Sequence, residues 1–197
     1  MGHIITDLKE TFRRGNTFIR LIYINVGIFV IGTLISVILP LFNLSATGIF
    51  DLFALPASLH RFILQPWSLL SYMFMHAGFL HILFNMLWLY FSGKHLRGLY
   101  VLGGICGGLF YMIAYNIFPY FSQTLPFSTL VGASASVLAI VAATAYREPN
   151  YRVQLFLFGA VRLKYLALIV IGTDLLFITS NNAGGHIAHL GGALAGV

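Results

Sequence analysis

The chain has 197 residues, 59% of them hydrophobic and 8% charged. A soluble domain carries about 25% charge, so this composition excludes a water-soluble globular protein and leaves no room for a separate soluble domain beyond short loops. The net charge of +6 comes from basic residues scattered through the loops, which excludes a nucleic-acid face and reads as a topology signal. The single cysteine, Cys106, excludes an intrachain disulfide and reads as a small packing residue.

Residues 1–17 are polar and basic, with no small-residue cleavage site. They read as a cytoplasmic tail ahead of a retained first helix, not as a signal peptide. The membrane domain then covers 18–197. A spanning helix needs about 20 largely apolar residues, and the first runs over 18–41, stopping near Pro40. In 42–78, Asn43, Asp51, Pro56, His60, Arg61, Gln65 and Pro66 interrupt apolar clusters. That segment is too broken to span and too apolar for a solvated linker, and it suits an element lying partly in the bilayer surface. The second helix is expected over 79–93 and the third over 99–118. After a connection with Pro119 and Pro126, the fourth covers 134–146. A basic connection over 147–164 carries a short apolar run, 155–158, and leads to the fifth helix, 165–179. A polar turn, 180–185, precedes a sixth helix that is still apolar at Val197. With only about 12 residues, that helix is short or continues past the given chain.

The basic residues set the orientation. Lys9, Arg13, Arg14 and Arg20 precede or open the first helix. Lys94 and Arg97 lie between the second and third, and Arg147, Arg152, Arg162 and Lys164 between the fourth and fifth; only Arg61 falls on the other side. The positive-inside rule gives six spans with both termini cytoplasmic, and the loop composition fits a bacterial inner membrane. The fold class is thus an all-α polytopic membrane bundle of six helices.

Polar groups within such a bundle are costly and are functional candidates. His81 and Asn85 are four apart, on one face of the second helix, with His76 just before it. Taken alone, the pair also reads as hydrogen-bond glue between helices. Gly132-Ala133-Ser134 opens the fourth helix; taken alone, it also reads as small-residue packing. In the sixth helix, Gly192 and Gly196 follow His189 at +3 and +7, a face bare enough for another backbone to touch it. From His186 the same positions are His189 and Ala193, a poorer stripe, so His189 is preferred.

Depth brings these groups together. Ser134 is 13 residues before Arg147, and His81 is 13 before Lys94. Both therefore stand roughly 20 Å above the cytoplasmic boundary of a core about 30 Å thick. The fourth helix is then too short to cross, and its N-terminus sits inside the bilayer beside a protein-walled, wet cavity. A serine, a histidine and further donors at one level are a nucleophile, a base and an oxyanion site.

The pattern resembles the rhomboid intramembrane serine proteases. The resemblance covers about 60–197 and is carried by His76…His81-x-x-x-Asn85, Gly132-x-Ser134 and Ala188-His189-x-x-Gly192-x-x-x-Gly196, with Gly103-Gly104-x-x-Gly107-Gly108 in the third helix. It implies 42–78 as a membrane-embedded first loop, Ser134 as nucleophile, His189 as general base in a dyad with no orienting acid, and His81, Asn85 and the Ser134 backbone N–H around the oxyanion. The implied substrates are transmembrane proteins cut near the outer face, with no metal and no cofactor. Three positions depart from the pattern. Ala135 follows the serine in place of glycine, Leu138 stands where an aromatic is common, and Ser68 follows Trp67 in place of arginine. Ser136 lies about 200° around the helix from Ser134 and is expected to face away. Asp174, in the fifth helix, is a formal candidate for a triad acid. It precedes His189 by 15 residues and lies on a different helix, so it reads as a polar contact to a neighbouring helix.

Two other functions compete with the protease. A rhomboid-like protein of weak catalysis could bind transmembrane clients through the same cavity. A transporter using the His and Asn groups as a relay is opposed by the lack of an internal repeat and by polar residues gathered near one level.

Overall fold

The computed structural model describes residues 2–92, 98–155 and 159–197. Lys94, Arg97 and the ends of the expected 79–93 helix and 155–158 run lie outside the described residues. Helix α1 (Gly2–Arg14) occupies most of the stretch read as a tail. Asn16 caps the next helix, its Oδ1 accepting the Ile19 N–H at 3.1 Å. Arg20 folds back onto α1, donating to the Phe12 and Arg13 carbonyls.

Helix α2 (Thr17–Leu41) has 25 residues, about 37 Å of rise and enough to cross a bilayer. Phe18 and Asn25 are its buried residues; most of its apolar side chains face outward, as a lipid-facing helix requires. Asn25 turns inward, its Nδ2 donating to the Leu21 carbonyl at 2.8 Å and to Tyr100 Oη at 3.2 Å. Beyond Pro40 the chain leaves the helix through Asn43 at φ +57°.

The segment 42–78 is a folded piece: α3 (Thr47–Phe53), β1 (Leu55–Pro56), α4 (Leu59–Leu64), α5 (Ser68–Ser71) and a 3₁₀ turn, Tyr72–Phe74. Its polar residues close it on itself. Gln65 Nε2 donates to the Asp51 and Ala54 carbonyls at 3.2 Å, Trp67 Nε1 to Leu52 O at 2.8 Å, and Ser71 Oγ to Phe53 O at 2.8 Å. The segment ends in a 93° bend into α6 (Phe79–Ser92).

Helix α7 (Leu99–Ile117) carries glycines on two faces. Gly103 and Gly107 lie on Ala139 and Ala135, whereas Gly104 and Gly108 lie on Met73, Leu55 and Tyr72 of the first loop. A short strand, β2 (Thr129–Leu130), then pairs antiparallel with β1, Leu55 opposite Leu130. Helix α8 (Ser134–Arg147) is the centre of the bundle, buried continuously from Ala135 to Thr144. Strands β3 (Arg152–Leu155) and β4 (Gly159–Arg162) form an antiparallel hairpin. Helices α9 (Leu163–Leu176) and α10 (Ala183–Gly196) complete the described residues.

Two expectations need correction. The fold is helical but not all-α: two small ladders tie loops together, because short segments such as Arg152-Val153-Gln154-Leu155 alternate outward and inward. Among the described residues, helix length alone marks two spans, α2 and α7, or three if the bent pair Ser68–Phe74 and Phe79–Phe91 counts as one. Helices α6, α8, α9 and α10 have 14 residues each, about 21 Å. Lastly, α9 ends at Leu176 and α10 begins at Ala183, each three residues before the expected boundary.

Candidate active site

Ser134 is the first residue of α8 and stands where three backbone segments converge. The β1–β2 ladder and the Gly132 N–H, which donates to Tyr72 O at 2.9 Å, fix the strand leading into it. Gly132 has φ +130°, a conformation open to glycine and strained for other residues. A Cβ there would stand 2.8 Å from both Cε1 and Nε2 of His81 and 3.5 Å from Ser134 Oγ. The imidazole of His81 thus lies over the bare glycine, beside the serine.

His81 is the third residue of α6. Its Nδ1 accepts the Ala77 N–H at 3.4 Å, which leaves the proton of a neutral ring on Nε2 and makes that atom a donor next to Ser134. His76 packs edge-on against the His81 ring at 5.2 Å, with neither ring nitrogen partnered. Asn85 is buried one turn along, Nδ2 donating to His81 O at 2.8 Å and keeping a second N–H.

The base candidate arrives on α10. Gly192 lies against the Ala135 carbonyl and Gly196 against the Ala139 carbonyl. The two helices therefore run parallel with backbones in contact, an approach any side chain at these glycines would block. This contact sets His189, one turn before Gly192, at the mouth of α8. A cavity of about 310 Å³ is lined by Ser134, His189, His81 and Asn85 together with Phe84, Trp88, Leu138 and Val170. A second, of about 460 Å³, is lined by Ser134, His189, His81, Asn181, Asn182 and Gly185. The three residues shared by both sit between a mostly apolar pocket flanked by α6 and α9 and a more polar one under the 180–185 turn. Among the described residues, Ser134 Oγ makes no hydrogen bond to His189.

Asp174 makes the polar contact to a neighbouring helix expected of it, and one partner is the histidine for which the resemblance implied no orienting acid. Its Oδ1 stands 3.0 Å from His189 Nδ1 and 2.7 Å from His186 Nδ1, and its Oδ2 3.2 Å from His189 Nδ1. Helix α9 stops at Leu176, so Asp174 is in its last turn, beside the first turns of α10. A signal was present in the sequence: an acid inside a spanning helix needs a partner, and two histidines three apart follow the turn. His186 is the second residue on this acid and lines neither cavity. Leu138, which stands where an aromatic is common, lines the apolar cavity, and the His189 ring meets a carboxylate at Nδ1. Ser136 is buried and points at Gly104 of α7, its Oγ unpartnered. The apolar cavity walls on α6 were also missed; Leu80, Phe84 and Trp88 share a face with His81's neighbours at spacings of four, the trace such a wall leaves in sequence.

The Rhomboid domain family model matches residues 64–197, more than half of the chain. The chain belongs to the rhomboid family. It is 31% identical over 147 residues to "RHOMBOID-like protein 12, mitochondrial" of Arabidopsis thaliana, covering 64% of this chain and 43% of that protein. It is 34% identical over 150 residues to "Rhomboid-related protein 2" of Mus musculus, covering 68% and 46%. The matched region spans less than half the length of either relative. With this family and its long apolar helices, the rhomboid is an integral membrane protein.

Proposed function

We propose that this rhomboid is an intramembrane serine endopeptidase that cuts transmembrane segments of other proteins near the outer face of the bilayer. The observation that carries the reading is the meeting of Ser134, His189 and His81 between the two cavities, with His189 Nδ1 held by Asp174. With Nδ1–H donated to the carboxylate, Nε2 keeps its lone pair and can take the Ser134 proton. Ser134 Oγ then attacks the scissile carbonyl, and His189 returns the proton to the leaving amine. The Nε2–H of His81, the free N–H of Asn85 and the Ser134 backbone N–H are the donors for the oxyanion. The apolar cavity flanked by α6 and α9 suits an unwound stretch of a substrate helix, and the polar cavity suits water for deacylation. Ser134 and His189 without a hydrogen bond are compatible with catalysis, since such bonds tighten on binding substrate.

The same open contact favours a second reading, a weakly catalytic protein that binds transmembrane clients. The scattered basic residues support six spans with both termini cytoplasmic, as in a bacterial inner membrane. The test is labelling of the purified protein by a fluorophosphonate, beside Ser134→Ala and His189→Ala. Labelling that both substitutions abolish is expected. Equal labelling of Ser134→Ala, or no labelling of the wild type with a cleavable transmembrane substrate left intact, refutes the protease and leaves the binding protein.

A further inference from the structure

We propose that Asp174, His186 and His189 form a binding site for a divalent transition-metal ion, zinc in the first place, and that its occupancy turns Ser134 chemistry off. Only the second half rests on His189 being the base for Ser134.

His186 and His189 are three apart on α10 and share a face; Asp174 comes from the facing end of α9. One ligand atom from each lies within 4.8 Å of the other two. Zinc held tetrahedrally by imidazole nitrogen and carboxylate oxygen at about 2.0–2.2 Å needs ligand atoms about 3.3–3.6 Å apart. Asp174 Oδ1 is 2.7 Å from one nitrogen and 3.0 Å from the other, so side-chain rotations that open these contacts by about 0.3–0.9 Å bring them to zinc spacing. Two imidazoles and a carboxylate are a donor set that zinc and its neighbours in the first row accept.

Charge points the same way. Asp174 is 3% exposed, and among the described residues its ionic partners are the two histidines, with no Lys or Arg. A buried carboxylate needs a cation or a full set of donors, and a divalent ion answers it directly. The site can be reached: the His186 and His189 side chains keep 18% and 22% of their exposure, and His189 borders the polar cavity under Asn181 and Asn182. Three protein ligands leave a fourth position for water.

The effect on Ser134 follows from the ring. Without metal, Nδ1 carries the imidazole proton toward Asp174, and Nε2 keeps the lone pair. With metal, the Nδ1 lone pair is on the ion, and the one proton of the neutral ring moves to Nε2. Nε2 then has nothing with which to accept the Ser134 proton. No bond to Ser134 forms or breaks, and removing the ion reverses the change.

The test uses the full chain in detergent, titrated with zinc chloride by calorimetry and with cobalt chloride by visible absorption. One ion per chain is expected, with the intense visible bands of four-coordinate cobalt. Ser134→Ala should bind equally well. Asp174→Asn and His186→Ala should each bind at least about tenfold more weakly, by loss of a direct ligand. Zinc should also block fluorophosphonate labelling of the wild type, with recovery on chelation. No binding to the wild type, or undiminished binding to both ligand variants, overturns the site. Ligand-dependent binding with labelling untouched at saturating zinc overturns the switch. A protein that never labels, with or without zinc, refutes the protease reading, and the cobalt spectrum still decides the site.

Discussion

Asp174 at the end of α9 and His189 on α10 meet through Oδ1 and Nδ1 at 3.0 Å, with Oδ2 at 3.2 Å. Under the proposed protease activity, the contact would do for His189 what a third residue does in a soluble serine hydrolase. It would fix the ring's orientation and keep its proton on Nδ1, leaving Nε2 for Ser134. Asp174→Asn should therefore slow labelling and substrate cleavage by between about 10 and 10⁴, the upper value being the cost of the same exchange in a soluble triad. Asp174→Glu should recover part of the rate. A positioning role also changes the shape of the pH–labelling profile; a loss of folding alone would lower the thermal midpoint and leave that profile unchanged.

Gly132 is strained ground for any other residue, and His81 lies on it. Gly132→Ala places a methyl 2.8 Å from the His81 ring at φ +130°. The strain is about 1–3 kcal/mol, which the loop can relieve by moving His81 off the serine. Labelling should fall by about 10² while the thermal midpoint drops by only a few degrees, as expected when a donor is lost and the core kept. Labelling rate and melting in detergent, measured side by side, decide it.

The two oxyanion donors should differ in weight. Loss of one such donor typically costs about 10²–10³ in turnover, and His81→Ala should fall in that range. Asn85 already spends one N–H on His81 O at 2.8 Å, so Asn85→Ala should cost only about tenfold, with His81 and the Ser134 N–H remaining. Both should lower kcat with little change in KM, as read from cleavage of a transmembrane peptide across substrate concentrations.

His186 shares the acid but lines neither cavity. His186→Ala should keep measurable labelling, within about tenfold of wild type, because Oδ1 and Oδ2 of Asp174 both remain for His189. A loss as deep as that of His189→Ala would transfer the base role to His186.

Packing of α10 on α8 should be the structural weak point. Gly192 lies on the Ala135 carbonyl, so Gly192→Val forces the backbones apart and should destabilise by about 1–3 kcal/mol or more. Gly172 on α9 has open space where a Cβ would go, and Gly172→Ala should be neutral to slightly stabilising, as at other unstrained helix positions. Thermal unfolding in matched detergent separates the two.

Much of this architecture was legible because apolar run length and helical spacing act locally. The long runs over 18–41 and 99–118 became α2 and α7 almost residue for residue. The spacing of His81 and Asn85 needs only the pitch of one helix, and the bare stripe at Gly192 and Gly196 needs only another. Depth counted from basic residues put Ser134 and His81 at one level, and the structure has both lining the same cavity. The first loop could be read as neither span nor linker, but its order could not. It depends on Gln65, Trp67 and Ser71 finding carbonyls 11 to 18 residues away.

Asp174 and His189 mark where sequence stops. Whether they touch depends on where α9 ends and how tightly 177–182 turns, and three residues of helix move a side chain by about 4.5 Å and most of a full rotation. Composition and periodicity tolerate that error everywhere else, since one apolar residue replaces another against lipid or core. A carboxylate within hydrogen-bond reach of one imidazole tolerates none of it. Sequence by itself determined a membrane bundle with a serine, histidines and an asparagine at one depth. Only the tertiary structure decided which acid holds which histidine, because that is set by the docking of two helix ends and not by the spacing along either one.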